Sequence, residues 1–251
     1  MTRQMSPEVE AIGRSLEAEA GTYLRNTVRE PNATCSVCAA PVDGYPHCVQ
    51  CNKHAQTGLA LADRVGSLIY AVEPDSQAYQ VVRSYKAERP GPSHQQVMLG
   101  LLALGLKGHF VCAARLSGFD HSGWAVVPST RGRTKLGDMV RSLAHRGDAE
   151  VPVAFVGDAS SRELRPRDWS VTADVVVLDH VVLVDDSWVT GAHAQAVAAA
   201  LKSAGAHQVS IFTVARVLRP DWSANAKFIR ERLPGMSFDW RRCPWTAADC
   251  P

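Results

Sequence analysis

The stretch from Val181 to Gln195 reads Val-Val-Leu-Val-Asp-Asp-Ser-Trp-Val-Thr-Gly-Ala-His-Ala-Gln. Its first four residues are an apolar run without alternation, which predicts a short parallel strand buried on both faces. Two carboxylates, Asp185 and Asp186, follow this run, and a Thr-Gly turn then leads into an alanine-rich helix. We therefore expect two acids and a helix N-terminus to lie together at the carboxyl end of a central strand.

These two elements predict a ligand that is a phosphorylated sugar. Carboxylates accept hydrogen bonds from sugar hydroxyls, whereas the N–H groups of a helix N-terminus bind phosphate. The alternative is a buried strand that ends in two solvated acids, which cap the next helix. A receiver domain also has paired acids after an apolar strand, but there the pair ends the first strand and no Thr-Gly turn follows closely. We therefore favour the sugar-phosphate interpretation.

The stretch resembles the signature of the type I phosphoribosyltransferases, in which four apolar residues, two acids and a Thr-Gly turn bind phosphoribosyl pyrophosphate. The resemblance implies that Asp185 and Asp186 orient the ribose through its 2- and 3-hydroxyls as catalytic residues. It also implies that the following loop wraps the 5-phosphate. The loop residues are Ser187, Trp188, Val189, Thr190, Gly191, Ala192 and His193.

Three loop positions depart from the family pattern. Val189 stands where many members have an acid or a threonine, and a valine neither gives nor takes a proton. His193 replaces the usual Thr or Ser, and it could add charge to phosphate binding or be an exposed helix residue. Trp188 could stack on a ligand or fill a crevice.

A second oxyanion loop is predicted after the strand at 124–128. The sequence Ser129-Thr130-Arg131-Gly132 combines hydroxyls, a guanidinium and a glycine, which together can bind an oxyanion, although an ordinary turn is the alternative. The resemblance implies that this is the pyrophosphate loop and that Arg131 receives the leaving group. It also adds Lys86, from the Tyr-Lys segment, to the substrate-binding residues.

Two cysteine pairs predict a structural zinc site. Cys35 and Cys38 are followed, after nine residues, by Cys48 and Cys51, and two Cys-x-x-Cys turns supply four tetrahedral sulfur ligands. A redox pair is the alternative, but it would need only one Cys-x-x-Cys and a following helix. Since all four ligands come from the protein, no position is open for a substrate. Cys243 and Cys250, which have no partner pair, are predicted to be free thiols.

The composition is that of a soluble globular protein. Apolar residues make up 46% and charged residues 21% of the 251 positions, and 27 basic against 25 acidic side chains leave a net charge of +2. Such balance argues against bulk binding to nucleic acid. No apolar run approaches the roughly 20 residues of a membrane span, so we expect a cytoplasmic protein. An amphipathic helix at 6–25 is expected to pack on the body or on a second subunit of a homodimer, not on a membrane.

Strands and helices alternate from 67 to 218, which predicts an α/β fold with a doubly wound parallel sheet and the ligand at the carboxyl ends of the strands. One buried strand is expected at 151–156. The polar loop at 157–169, with Arg162, Arg165 and Arg167, is expected to be mobile and, by the resemblance, to close over the substrate. The predicted units are an N-terminal helix (1–30), a zinc ribbon (31–58), a phosphoribosyltransferase-like domain (59–218) and a C-terminal extension (219–251).

The order of the motifs resembles the ComF-like branch of the type I phosphoribosyltransferases. The cysteine pairs, the Tyr-Lys segment at 85–86, the Val-Val-Pro loop and the Val-Asp-Asp turn occur here in that order. The resemblance implies transfer of a 5-phosphoribosyl group to a nitrogen nucleophile of a small molecule, with Mg2+ and release of pyrophosphate. The alternatives are a non-catalytic regulator that binds phosphoribosyl pyrophosphate or a nucleotide, and a DNA-uptake accessory protein, which the near-neutral charge disfavours.

Overall fold

Helices and strands alternate along most of the chain. The computed structural model describes residues 5–119, 122–144, 149–161, 163–172 and 179–251. The strands are β1 (Arg64–Val72), β2 (Gly123–Val126), β3 (Val153–Phe155), β4 (Trp169–Val171), β5 (His180–Trp188) and β6 (Gln208–Leu218). The helices are α1 (Pro7–Ala20), α2 (Val49–Ala55), α3 (Gln77–Ser84), α4 (Pro92–Ala103), α5 (Phe110–Ser117), α6 (Lys135–Leu143), α7 (Ala192–Ser203) and α8 (Ser223–Glu231), with a π-helical turn at Leu104–Gly108 and short 3-10 turns at Pro166–Asp168 and Leu233–Gly235.

The central sheet has four parallel strands in the order β1-β6-β5-β2. This confirms the prediction of an α/β protein with a parallel sheet. β5 is longer than the predicted apolar run, because it continues through both acids to Trp188, which pairs with Arg216 of β6. Asp185 and Asp186 therefore lie in the last part of β5, and not in the loop that follows the strand.

The apolar run of β5 serves both faces of the sheet, as a parallel strand with continuous hydrophobicity should. Val182 and Val184 belong to the core shared with α4, whereas Val181 and Leu183 belong to the core shared with α7. All four side chains are at most 1% exposed. The strand is thereby fixed in register, because a slip by one residue would exchange the two faces.

The strand predicted at 151–156 is wrong in extent and in place. The chain first runs along the edge of β2, where Trp124 N–H donates to Ala149 O (2.9 Å) and Val151 N–H donates to Trp124 O (2.8 Å). Pro152 follows, and it has no N–H to continue this pairing. The chain then leaves the sheet, and β3 pairs antiparallel with β4 in a separate, partly exposed hairpin.

Helix α1 packs on the same face of the sheet as α4. Ser6 caps it by accepting a hydrogen bond from Val9 N–H (3.3 Å), and Val9 and Leu16 are buried in the main core. Leu16 lies against Gly100 of α4, where a Cβ would come within 3.0 Å of its Cδ2. The apolar stripe of α1 is thus covered by its own chain.

The segment Pro92–Ser117, made of α4, the π-helical turn and α5, is 26 residues long and apolar enough to span a membrane. This corrects the expectation that no apolar stretch approaches that length. However, 72% of its most apolar window is buried inside the protein, as is typical of a core helix in a soluble fold. The cytoplasmic location stays a prediction.

Candidate functional site

A cavity of about 920 Å³ opens at the carboxyl end of the sheet. The end of β5, the start of α7, the loop after β2 and the segment after α3 bound it. The structure brings nearly all of the predicted ligand residues together here. Those that line the cavity are Lys86, Ser129, Thr130, Arg131, Gly132, Asp185, Asp186, Ser187, Val189, Thr190, Gly191, Ala192 and His193.

Asp186 is held by donors from its own chain. Its Oδ2 accepts hydrogen bonds from Tyr85 Oη (2.9 Å) and Lys86 Nζ (2.6 Å), and its Oδ1 accepts one from Ser187 Oγ (2.7 Å). Burial, with the negative charge of Asp186, raises the pKa of Tyr85, so the phenol stays protonated and donates. The Tyr-Lys segment and the acid pair, which are 100 residues apart, therefore form one network.

Asp185 has a different environment from its neighbour. Its Oδ1 accepts a hydrogen bond from Asp186 N–H (2.8 Å). Burial raises the pKa of Asp185 well above its ordinary value, and the charge of Asp186 adds to the shift. A hydroxyl donor or a cation in the cavity would lower that pKa, because either would stabilise the charged form.

The turn that begins α7 is shaped by glycine. Gly191 has φ +80° and precedes the first helical residue, and a Cβ on it would come within 2.1 Å of the Trp188 ring. Gln195 N–H makes the first bond back to Gly191 O (2.9 Å), and Ala192 N–H donates to Thr190 Oγ1 (3.4 Å), so the amides of residues 193 and 194 are left without helical acceptors. Such amides favour an anion, as expected for a phosphate site.

The predicted contact of Trp188 with the ligand is wrong. Trp188 is only 1% exposed and does not line the cavity. Its side chain lies in the protein interior at the end of β5, and its ring packs against Gly191. The tryptophan thus fills a crevice, which was the alternative left open by the sequence.

Arg216 supports the same loop, and the sequence analysis did not select it. It lies on β6, is 1% exposed, and donates from Nη1 to Trp188 O (2.8 Å) and Val189 O (3.1 Å). It also donates to Val217 O. The available signal was a single arginine inside the apolar run Val214-Ala-Arg-Val-Leu218, since a charge in such a run must be buried with partners.

The lining of the cavity is basic on balance. It contains seven Lys or Arg residues against four Asp or Glu residues, in a chain whose net charge is only +2. Arg131, Arg133 and Lys135 make no salt bridge within the part of the chain that the structure describes. These unpaired cations, beside the start of α7, favour an anionic ligand with more than one charged group.

In the described part of the polar loop at 157–169, Ser161 and Trp169 contact His193, which lines the cavity. Its Nε2 lies 3.2 Å from Ser161 O, and its ring makes an edge contact with Trp169 at 5.6 Å between centroids. Of the three arginines in this loop, Arg165 pairs with Glu163 (2.5 Å) and does not line the cavity, nor does Arg167. Arg162 lies outside the described residues.

The two cysteine pairs converge as predicted. The four sulfur atoms lie within 4.8 Å of one another, with Cys38 Sγ 3.7 Å from Cys48 Sγ. Cys35 opens a tight turn, in which Ala39 (φ 56°) donates back to its carbonyl and its own N–H donates to Ala40 O. Hydrogen bonds from the other three thiols lower the pKa of Cys35, as expected for a thiolate ligand.

The other pair of ligands sits at the start of α2. Cys48 is the N-cap of that helix, and its Sγ accepts from Cys51 N–H (3.5 Å). Arg29 lies against the first turn and donates to Ser36 O (2.7 Å). Burial lowers the pKa of Arg29, whereas the negative charge of Cys38 counteracts this. Hydrogen bonds with Cys35 and Cys48, together with burial, raise the pKa of Cys38, and the charge of Arg216 opposes that rise.

A second Cys/His cluster corrects the prediction that Cys243 and Cys250 are isolated thiols. Together with His109 and Cys112 they place four ligand atoms within 4.8 Å of one another. The described structure therefore has two Cys/His clusters, and each could hold a structural metal such as zinc. Sequence spacing could not reveal this cluster, because 131 residues separate Cys112 from Cys243.

The fold and the site together define a mixed α/β protein with a parallel four-stranded sheet, a basic cavity at its carboxyl edge and two thiol-rich clusters. No protein-family model matches the chain, and no curated protein matches it. The function is therefore argued from the site itself.

Proposed function

We propose that the protein is a phosphoribosyltransferase, which transfers the 5-phosphoribosyl group of phosphoribosyl pyrophosphate to a nitrogen nucleophile and releases pyrophosphate. The observation that carries the proposal is the meeting of two acids, a helix N-terminus and unpaired cations around one cavity. A doubly wound sheet of the type I phosphoribosyltransferases is part of the proposal. The parallel order β1-β6-β5-β2, with core on both faces, supports it.

The 5-phosphate would bind at the start of α7. Amides without helical acceptors, the hydroxyl of Thr190 and the close backbone approach allowed by Gly191 suit a phosphate dianion. His193 lines the same part of the cavity, but its ring is also in contact with Ser161 O. We therefore assign His193 a smaller part in phosphate binding than Thr190.

The ribose would be held by the acid pair. Asp185 is the residue that meets the sugar hydroxyls, because Asp186 already accepts three side-chain hydrogen bonds from Tyr85, Lys86 and Ser187. A ligand that draws Lys86 away would release Asp186 for a second hydroxyl. The two acids thus differ in role. Asp185 would accept hydrogen bonds from the ribose directly, whereas Asp186 would exchange its hydrogen bond from Lys86 for one from the ribose.

The pyrophosphate would lie near the loop after β2. Arg131, Ser129 and Gly132 line this side of the cavity, which Lys86 also lines. The transition state of such a transfer has oxocarbenium character, so positioning and charge stabilisation are the main tasks of the protein. Asp185 and phosphate oxygens are hard ligands that suit Mg2+, which would neutralise charge on the leaving group.

Calorimetry with and without Mg2+ tests binding, and pyrophosphate release with a panel of nucleobases and amines tests catalysis. We expect phosphoribosyl pyrophosphate to bind, and Asp185→Asn to weaken its binding about 10-fold or more, as for loss of one charged hydrogen-bond partner. The same change at the exposed Asp75, which does not line the cavity, is the control. Absence of binding under both conditions would refute the proposal.

The second candidate is a regulator that binds phosphoribosyl pyrophosphate without turning it over. Val189 favours it, because this aliphatic side chain lines the cavity and packs on the main core where a proton-transferring group would otherwise stand. Tight binding without pyrophosphate release from any acceptor would support the regulator.

Zinc in the cluster of Cys35, Cys38, Cys48 and Cys51 is the second part of the proposal. Four buried or half-buried thiols within 4.8 Å suit tetrahedral Zn2+ and leave no open position, so the metal would be structural. Thiol clusters of this kind persist in reducing compartments, which supports a cytoplasmic location.

A further inference from the structure

We infer that His109, Cys112, Cys243 and Cys250 form a second structural zinc site, which fastens the C-terminal tail to the core. Three thiols and one imidazole are a complete tetrahedral ligand set. Cys250 Sγ lies 3.4 Å from His109 Nδ1, close to the roughly 3.6 Å expected between sulfur and nitrogen ligands of one zinc ion. This inference is independent of the proposed enzyme activity.

The C-terminal tail contains a turn of the same kind as the one that begins at Cys35 in the first cluster. Cys243 N–H donates to Ala248 O (2.9 Å), Ala247 N–H donates to Cys243 O (2.8 Å), and Ala247 has φ 57°. These are the same hydrogen bonds, at the same spacing and with the same left-handed residue, as in the turn that begins at Cys35. A left-handed alanine is unfavourable by itself, so its presence at both turns indicates a shared geometric requirement.

The helix start that carries Cys48 and Cys51 in the first cluster also has a counterpart in the second cluster. Cys48 is the N-cap of α2, and Cys51 follows three residues later; His109 is the N-cap of α5, and Cys112 follows three residues later. In each cluster a helix start therefore supplies two ligands and a tight turn supplies the first cysteine of the other two. The fourth ligands differ in place: Cys38 lies within its turn, whereas Cys250 follows its turn by two residues. His109 ends a π-helical turn, a feature that often marks functional positions in helices.

The histidine has the outer partner that a metal ligand needs. His109 Nε2 lies 3.5 Å from Trp240 O, and we assign the proton to this nitrogen because a carbonyl can only accept. Nδ1 is then the unprotonated nitrogen that faces Cys250. A histidine ligand typically donates its other N–H in this way, which fixes the ring orientation.

All seven cysteines of the chain belong to one of the two clusters. Cys112 and Cys243 are fully buried, and Cys250 is partly buried near the end of the chain. The second site would join the start of α5 to a tail that also covers two other elements, since Trp240 lies on Gly13 of α1 and Trp245 on Gly66 of β1. Its role would be to hold this tail in place.

Metal analysis of the full-length protein, purified under reducing conditions without added metal, tests the inference. We expect two zinc ions per chain, and X-ray absorption should report an average of 3.5 sulfur and 0.5 nitrogen ligands per zinc from the two ligand sets. One zinc per chain, with four sulfur ligands, would overturn the inference. This measurement does not depend on any variant being able to fold.

Substitutions then assign the sites. Cys250→Ser should lower the zinc content from two to one, and His109→Cys should keep two while raising the sulfur average to four. His207→Gln, at an exposed histidine outside both clusters, is the control and should keep two. Zinc content unchanged in Cys250→Ser, or a disulfide between tail and core that is seen in the intact mass of the reduced-purified protein, would show that the cluster does not bind zinc.

Discussion

Replacement of Arg216 by methionine should destabilise the protein through the loop that it supports. The guanidinium donates to the carbonyls of Trp188 and Val189, which lie between the acid pair and the Thr-Gly turn. Methionine has a similar apolar length but no donor, so both carbonyls lose this partner, Trp188 O in a buried place and Val189 O in a partly buried one. Each buried group left unsatisfied costs about 1–3 kcal/mol, which gives about 2–6 kcal/mol for the pair.

The lower half of this range is expected, because removal of a buried cation also removes its cost of desolvation. A loss of about 3 kcal/mol corresponds to a decrease of roughly 1–1.5 M in the urea midpoint for a slope of 2–3 kcal/mol/M. Urea denaturation followed by tryptophan fluorescence measures it. The matched control is Arg230→Met, where the side chain is 68% exposed and the expected change is within about 0.5 kcal/mol.

The variant also tests whether Arg216 positions the site. Because the guanidinium does not line the cavity, a loss of binding would come from displacement of the loop or from the loss of its positive charge, and not from a lost contact with the ligand. We expect weaker binding of phosphoribosyl pyrophosphate by Arg216→Met under conditions in which the variant is still folded. A variant that is within 1 kcal/mol of the unmodified protein in stability would refute the reasoning about the two carbonyls.

Three further outcomes are expected. Gly191→Ala should lower the free energy of unfolding by at least about 1–2 kcal/mol, because φ is +80° and the new Cβ collides with the Trp188 ring. It should also weaken phosphate binding in calorimetry. The control is Gly118→Ala, where φ is also +80° but the space is open, so this variant should show the conformational cost alone. The contribution of His180 to the free energy of unfolding should fall by about 2 kcal/mol from pH 7.5 to 5. Burial lowers the pKa of His180 to about 4 in the folded protein, so the unfolded chain takes up the proton first as the pH falls. Urea titrations of His180→Gln should lack this part of the pH dependence. Cys51→Ser should remove one zinc per chain in metal analysis, and unchanged metal content would contradict the first cluster.

Much of the central sheet could be predicted because its strands are continuous apolar runs. β1, β5 and β6 are buried along most of their length, and a helix follows each of them. The sequence did not reveal where β5 ends, since Asp185 and Asp186 interrupt the apolar pattern while the backbone ladder continues. The end of β5 is determined by backbone hydrogen bonding to β6, which the hydrophobicity of the sequence does not indicate.

The site was predicted where its residues are contiguous and missed where they are not. The loop with the Thr-Gly turn and the oxyanion loop at 129–132 are local patterns, so nearly all of their residues line one cavity, as expected. Arg216 and the cluster of His109 with Cys243 depend on packing between distant segments. A single arginine in a strand and an isolated histidine carry no spacing signal, and only the fold shows what surrounds them.

Arg29 and Arg216 have one consequence for how this protein matures. A tetrathiolate zinc centre carries two negative charges, and two guanidinium groups lie where they feel the charge of Cys38. The two guanidinium groups would therefore offset the charge of zinc bound in this cluster, and one of them, Arg216, also donates to the carbonyls of Trp188 and Val189. Metal supply would then bear on the anion loop as well as on the cluster, because Arg216 is shared between them.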